Sequence, residues 1–309
     1  MYYINDILKL LVNECITEIT FDIAMKIKVL SVLVVVLTFF GLEVQAGVVD
    51  GIVVDENGQP LPYATVRVKG RKVAALGDSI GHFRLTDNKL TAKDSILVTY
   101  IGYEPLRMSV GQASESGRQF KLVPMAKQLQ EVVVKSGKKL KRRVQGKKHS
   151  GGMMTGSYSG DMAGETYGYE FHAPKNKKLI LEKVGFYYTE SSNQMKRMKF
   201  RINVYDMSKV KSDPSSAFVN VLSKPIIFEY NYSDSDNGKF VYNLPHHIIL
   251  PADAMVEIEF LENLGDEKLF FKSNLVGKKI WTKDLTSTFW MKEPFGAPFF
   301  IECLEIDSK

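Results

Sequence analysis

The chain of 309 residues is 45% hydrophobic, 25% charged and 11% aromatic, with a formal net charge of +6. That composition excludes a disordered or collagen-like chain, and the length provides for more than one packed core. Two cysteines, Cys15 and Cys303, are too few for a disulfide-stapled scaffold.

The start of the chain is not fold material. From Met25 the sequence reads MKIKVLSVLVVVLTFFGLEVQA, with Lys26 and Lys28, an apolar run from Val29 to Phe40, and small residues at Val44 and Ala46. This is the pattern of a secretory signal peptide. The apolar run of about 12 residues falls short of the roughly 20 that a spanning helix needs. Residues 1–24 read as an upstream extension. Cleavage after Ala46 leaves Cys303 as the one thiol, so stability is expected from packing rather than from a disulfide.

From Val48 the runs VVDGIVV, ATVRV, HFRL, SILVTYIGY and RQFKLV are short, β-branched and aromatic, with ENGQP, LGDSIG and TDNK as turn material between them. Strands at this spacing indicate a small sandwich or barrel. Asn57-Gly58 suits a tight turn that needs positive φ, Pro60 ends the hairpin arm, and Gly81 closes a second turn. None of these residues is chemically active.

The stretch LQEVVVKSGKKLKRR then joins a β-forming run to a basic one. Residues 1–46 hold three basic and five acidic residues, so the remainder carries 38 Lys and Arg against 30 Asp and Glu. Residues 135–149 alone hold eight Lys or Arg and no acid, which leaves the rest of the mature chain formally neutral. Residues 135–152 are therefore expected to be a solvated linker spanning roughly 23 Å, with the domains on either side independently mobile. Lys138, Lys139, Lys141, Arg142, Arg143, Lys147 and Lys148 are the candidates for binding an anionic surface, envelope lipid in particular. Nucleic acid is not the expected partner, because no aromatic residue interleaves the run.

Gly152, Gly156, Gly160, Gly164 and Gly168 follow at a period of four, with polar residues between them, and read as a flexible lead-in to the next domain. Strands resume with YGYEF, LILEKVGFYYTE, MKFRINVYD, SKPIIFEY, KFVYNL, MVEIEFLE, KLFFKS, STFWM and FFIECLEI. In MKFRINVYD, Phe200, Ile202 and Val204 share one face while Lys199, Arg201 and Asn203 share the other; Val256, Ile258 and Phe260 alternate with Glu257 and Glu259 in the same way. Period two with one polar face predicts a sheet packed on one side only. About nine such strands close a two-sheet sandwich of jelly-roll type, which makes residues 153–309 an all-β domain.

Residues 47–134 resemble the carboxypeptidase regulatory-like domain. The resemblance rests on Gly51 and Val53, the turn Asn57, Gly58, Gln59 and Pro60, then Ala64 and Val66, Gly81 and Phe83, and Gly102 and Tyr103. It implies a prealbumin-like sandwich of seven strands. In carboxypeptidases that domain accompanies a zinc catalytic domain, whereas here none of the five histidines has a carboxylate three residues later or a second histidine four residues away. His246 and His247 are neighbours and, in a strand, point to opposite faces. A nucleophile elbow is missing, since GSYSG places Tyr158 at its centre, and so is a phosphate loop. Ser233 stands where a calcium loop with Gly238 as its turn glycine needs its first Asp. Cys303 sits in an apolar strand pattern. No metal, no cofactor and no enzymatic activity are expected.

Leu129, Glu131, Val132, Val133 and Val134 resemble the Leu-x-Glu-Val-Val-Val element that follows this domain in starch-utilisation-type TonB-dependent receptors, where it implies an extended segment captured by a partner through strand addition. Two readings of Glu131–Val134 stand: the last edge strand of the first domain, which is favoured, and a docking strand. The receptor itself is excluded by length, because a 22-stranded barrel needs about 220 residues in strands alone and only 175 follow Val134. An eight-stranded barrel would fit, but the chain ends EIDSK rather than in an aromatic residue. The second domain is similar, less specifically, to the sandwich found after such a domain in exported proteins of Bacteroides-type bacteria.

The expectation is an exported, non-catalytic binding or scaffolding protein of the periplasm or outer membrane. The alternative is a carbohydrate-binding module, with Trp281 and Trp290, and less so Tyr187 and Tyr188, as a sugar platform. Such a module would expose aromatic rings together on one face, whereas an enzyme would gather titratable groups in a cleft.

Overall fold

The computed structural model describes Met25 and residues 47–115, 118–125, 140–147, 151, 154–158, 162–189, 197–208, 210, 218–232, 238–264, 269–274, 280–287 and 289–307. The described residues from Gly47 onward belong to one compact unit. Apart from Met25, the upstream extension and signal peptide lie outside the described residues, and no described helix is long and apolar enough to cross a membrane.

The first sandwich has the seven strands that the resemblance to the regulatory-like domain implies. Strands β1 (Val48–Val54), β4 (His82–Thr86) and β7 (Gln119–Lys121) form one sheet, and β2 (Thr65–Val68), β3 (Ala74–Leu76), β5 (Ser95–Thr99) and β6 (Leu106–Ser109) form the other, with a short helix, α1 (Val110–Glu115), after β6. Two turns use one device. The Asp55 carboxylate accepts from the backbone N–H of Asn57 and Gln59 while Gly58 takes φ +80°; the Asp78 carboxylate accepts from Ile80 and His82 while Gly81 takes φ +80°. An aspartate that satisfies two turn amides and a glycine in the left-handed region together set each strand's direction. Val53, Val66, Leu85, Ile96, Val98 and Phe120 fill the core between the sheets.

The second sandwich is larger. Its wide sheet runs β13 (Val219–Asn220), β12 (Arg197–Asp206), β16 (Asp253–Asn263), β10 (Thr166–His172), β18 (Ile280–Lys283), β19 (Met291–Glu293), with β14 (Ile226–Asn231) also paired to β12. Facing it are β15 (Lys239–Ile249), β11 (Lys177–Tyr187), β20 (Phe299–Asp307) and β8 (Lys141–Gly146), while β17 (Leu269–Ser273) pairs with β9 (Met154–Tyr158). Phe186, Phe200, Phe228, Tyr230, Phe240 and Phe260 meet at the centre of the core, with Phe200 and Phe228 stacked at 5.4 Å. All-β architecture in two sandwiches is as expected.

Three expectations are corrected. Lys141–Gly146, placed in the linker, is a strand of the second sandwich, paired from Lys141↔Glu305 to Gly146↔Phe300. The strand β9 falls within the glycine-spaced stretch and pairs with β17. Finally, the wide sheet is covered on both faces, for Arg201, Asn203, Glu257 and Glu259 are only 5%, 3%, 1% and 6% exposed. Their cover is the first sandwich, which is docked rather than independently mobile. Ile101 packs against the core of the second sandwich, and Gly102, at φ +82°, comes so close that an added Cβ would lie 1.9 Å from the Ser223 carbonyl oxygen.

Candidate binding site between the two sandwiches

Strand register builds the covered face. Arg201 on β12 lies opposite Glu259 on β16, Glu259 opposite Thr166 on β10, and Thr166 opposite Lys283 on β18. The next row on the same face is Asn203, Glu257, Gly168 and Trp281, and the row after it is Asn220, Tyr205, Met255 and Glu170. Alternation puts every second side chain of these strands on this face. The first sandwich supplies Tyr63, Thr65 and Arg67, with Thr99, Tyr100 and Ile101 at the end of β5.

Arg201, Glu259 and the asparagines beside them are satisfied within the protein. Arg201 donates from Nε and Nη2 to the two oxygens of Glu259 at 2.9 and 2.8 Å, and from Nη1 to the Tyr63 carbonyl at 2.9 Å. Asn203 Nδ2 donates to Glu259 Oε2 at 2.9 Å, and Asn220 Nδ2 donates to Asn203 Oδ1 at 2.8 Å. A fork-to-fork pair with further hydrogen bonds is the form in which buried charge is tolerated. Tyr63 holds its position in the left-handed region at φ 59°, and its hydroxyl donates to Glu262 Oε2 at 2.7 Å while accepting from Lys199 Nζ at 3.1 Å. One residue of the first sandwich thus contacts the second through both backbone and side chain.

Other groups are left incomplete. Glu257 Oε2 and Arg67 Nε are buried with no hydrogen-bond partner. Burial, reinforced by the neighbouring Glu259 charge, pushes the Glu257 carboxyl up to about 8. Burial and the facing Arg67 charge bring the Lys283 ammonium down to about 8, and burial lowers Arg67 as well. For Arg201 burial opposes the charge, but the adjacent Glu259 carboxylate more than offsets it and the net shift is upward. Burial and Glu257 hold the Tyr205 phenol well above its ordinary value.

These groups surround a cavity of about 280 Å³ lined by both sandwiches. One wall is aromatic: Trp290 packs on Phe218 at 5.3 Å and on Tyr205 at 5.7 Å, and Lys283 Nζ lies 5.3 Å from the centre of the Trp290 ring. Lys283 also borders a second hollow of about 410 Å³, lined by Tyr167, Phe271, Asp284 and Glu293 among others.

The residues singled out from the sequence fall elsewhere, with one exception. Trp281 is 8% exposed, packed with Met207, Val210 and Met255, and donates from Nε1 to Glu170 at 2.6 Å. Tyr188 is buried and Tyr187 packs on Phe300. A flat sugar platform is therefore replaced by a cavity wall to which Trp290 alone of the two tryptophans contributes. Among the basic candidates, Lys147 is 1% exposed and donates to the Gly151 carbonyl and to Asn274 Oδ1, so it is not a surface group. Arg143 makes two hydrogen bonds to Glu305, and Arg142 lies 3.8 Å from Glu182. Of that set only Lys141 has neither role in β8. Lys138, Lys139, Lys148 and the Glu131–Val134 element lie outside the described residues, as do Ser233 and Asn237.

Cys303 is buried, and its thiol is pushed up to about 12 by that burial. His246 and His247 are exposed on β15, and His172 hydrogen-bonds Asp253 at 2.8 Å. No three His, Cys, Asp or Glu side chains gather in a metal-holding arrangement among the described residues. The residues that do converge were visible in the sequence only as polar faces, or, for Arg67 and Lys283, not at all. The usable signal was the complementarity of Arg201-x-Asn203 with Glu257-x-Glu259 inside otherwise apolar strands.

The fold and this junction define the class: an all-β protein in which a prealbumin-like domain covers the polar face of a larger sandwich. Residues 49–134 match the family model of the CarboxypepD_reg-like domain, in agreement with the first sandwich and its turns. Comparison with curated proteins gave no match.

Proposed function

We propose that this is an exported, non-catalytic binding protein of the cell envelope that takes its ligand in the cavity between the two sandwiches. The observation that carries this reading is the pair of cations lining that cavity, Arg67 and Lys283, neither of which has an ion-pair partner within 4 Å among the described residues, beside the rigid Arg201–Glu259 pair. Glu259 is fully engaged by Arg201 and Asn203, so it is not free to activate a water. Binding is what a preorganised set of this kind does well. The regulatory-like domain, an accessory in the proteins it resembles, here forms half of the site, and the signal-peptide pattern before Gly47 supports export.

One observation favours a second reading, an enzyme of the glycan-cleaving kind. Titratable groups do converge in a cleft, and a carboxyl held up at about 8 is suited to proton donation. Two measurements separate the readings. The full chain expressed in a Gram-negative host should accumulate in the envelope fraction with Gly47 as its first residue, and retention of an uncleaved cytoplasmic form would sink the export reading. The purified protein incubated with a glycan panel should bind without releasing new reducing ends; turnover abolished by Glu257→Gln would establish the enzyme instead.

A further inference from the structure

The cavity carries information about what it holds. Not all of its cations are paired by hydrogen bonds: Arg201 is held by Glu259, whereas the nearby Asp284 carboxylate takes its hydrogen bonds from Thr286 and Ser287 and Glu257 takes one from Asn203. Arg67 and Lys283 remain, one from each sandwich, and Arg67 keeps a buried Nε with nothing to donate to. A buried Nε–H with no acceptor is unfavourable unless a ligand oxygen meets it, and arginine presents the fork that matches a carboxylate. Next to the cations stands the Trp290 edge of the aromatic wall, a surface that suits the apolar face of a ring. Thr65, Thr99 and Tyr100 bring hydroxyls to the same space. A volume of about 280 Å³ limits the occupant to something the size of one ring, not a chain running through.

We infer that the site between the sandwiches binds a single acidic sugar unit of the uronic-acid class, its carboxylate between Arg67 and Lys283 and its ring against Trp290. This inference rests on the cavity being the ligand site, and it adds the charge and size of the ligand. Because the anion contacts both sandwiches, it would also strengthen their docking, as any ligand bound only by the assembled form does.

The test uses the full mature chain titrated with D-galacturonate, D-galactose and inorganic phosphate, followed by calorimetry and by tryptophan fluorescence, to which only Trp281 and Trp290 contribute. Galacturonate should bind at least about tenfold more tightly than galactose, the margin of one charge-assisted contact, and should raise the thermal midpoint. Arg67→Gln and Lys283→Gln should each weaken galacturonate about tenfold and narrow its margin over galactose. Lys283 lies wholly in the second sandwich, so its variant keeps the test valid if Arg67→Gln disturbs docking. Equal affinity for galactose and galacturonate would overturn the acidic class while leaving the cavity as a binding site. Phosphate binding as tightly as galacturonate would overturn the ring contact. Binding of none of the three by a folded, docked protein would overturn the inference outright. Hydrolysis of an oligouronide would instead remove the non-catalytic reading and leave the anion preference standing.

Discussion

Strand β8 carries Lys141, Arg142 and Arg143 at the outer edge of the four-stranded sheet, where water reaches their side chains; strands β12 and β16 carry Arg201, Asn203, Glu257 and Glu259 at the middle of the seven-stranded sheet, where a second sandwich excludes it. In sequence the first group looks like a tether and the second like an ordinary wet face. The structure makes the first an edge strand, a position where charge discourages further pairing, and makes the second an interdomain site. Charge in a strand therefore says that the side chain will find a partner or water, but not which. That choice belongs to whatever packs above it.

Replacing Arg201 should break the comparison most sharply. Arg201→Ala leaves the Glu259 carboxylate buried with Asn203 as its remaining described donor and removes the bond to the Tyr63 carbonyl. Breaking a buried pair from one side costs about 3–5 kcal/mol. Urea unfolding of the variant should show a loss of that size, and a loss under 1 kcal/mol would mean that the face is solvated after all.

Docking itself can be attacked without touching a charge. Gly102 sits at φ +82° with the Ser223 carbonyl where a Cβ would go, so Gly102→Ala combines a left-handed alanine with a clash across the junction. The conformational part alone is on the order of 1–2 kcal/mol, and the clash must be relieved by separating the sandwiches. Far-UV circular dichroism should stay close to that of the parent, while limited proteolysis between the sandwiches accelerates several-fold. Unchanged proteolysis would show that Gly102 is not at a close contact.

Much of the first sandwich was legible because its determinants are local. An aspartate followed three residues later by glycine names each turn, and both Asp55–Gly58 and Asp78–Gly81 fold as that chemistry requires. Long alternating strands such as β12 and β16 were equally plain. What escaped notice was non-local: β8 pairs with β20, which lies about 160 residues away, and nothing within KRRVQG signals that partner. The site was hidden for the same reason. Alternation shows that Arg201 and Asn203 share a face, yet the sandwich that covers this face comes from residues 47–125, and only the assembled structure brings Arg67 to Lys283.

The pH dependence of stability sharpens the contrast further, because Glu257 and Lys283 on the covered face are shifted far. Glu257 keeps its proton in the folded protein above the pH at which the unfolded chain releases it, so its contribution falls as pH rises from the ordinary carboxylate range through about 8. Lys283 gives up its proton in the folded protein before the unfolded chain does, so its contribution recovers as pH rises from about 8 toward the ordinary lysine value. Glu257 faces Glu259, Tyr205, Arg201 and Lys283, while Lys283 faces Arg67, Glu257, Glu259 and Asp284. Together they predict a stability minimum near pH 8, with each limb no steeper than about 1.4 kcal/mol per pH unit. Glu257→Gln should remove the acid limb and Lys283→Met the alkaline limb, each with a shift of the limb that remains, because the two groups interact. A variant curve parallel to the parent throughout would refute the assignment of that limb.

The smallest effects are expected on β8, and their gradation tests whether burial rather than charge sets the scale. Arg142 is 71% exposed at its side chain and stands 3.8 Å from Glu182, a geometry in which exposed pairs contribute well under about 1 kcal/mol. Arg143 is 35% exposed and holds Glu305 through Nε and Nη2, so Arg143→Ala should cost about 1 kcal/mol. Lys147, one residue beyond the strand, has its ammonium inside the protein on the Gly151 carbonyl and Asn274, and Lys147→Ala should cost the most of the three, about 1–3 kcal/mol, by leaving those acceptors unmet. The order Arg142, Arg143, Lys147 in urea unfolding follows exposure, although all three carry the same charge within six residues of one another. The reverse order would mean that electrostatic repulsion within the basic run, relieved by each substitution, outweighs the contacts each side chain makes.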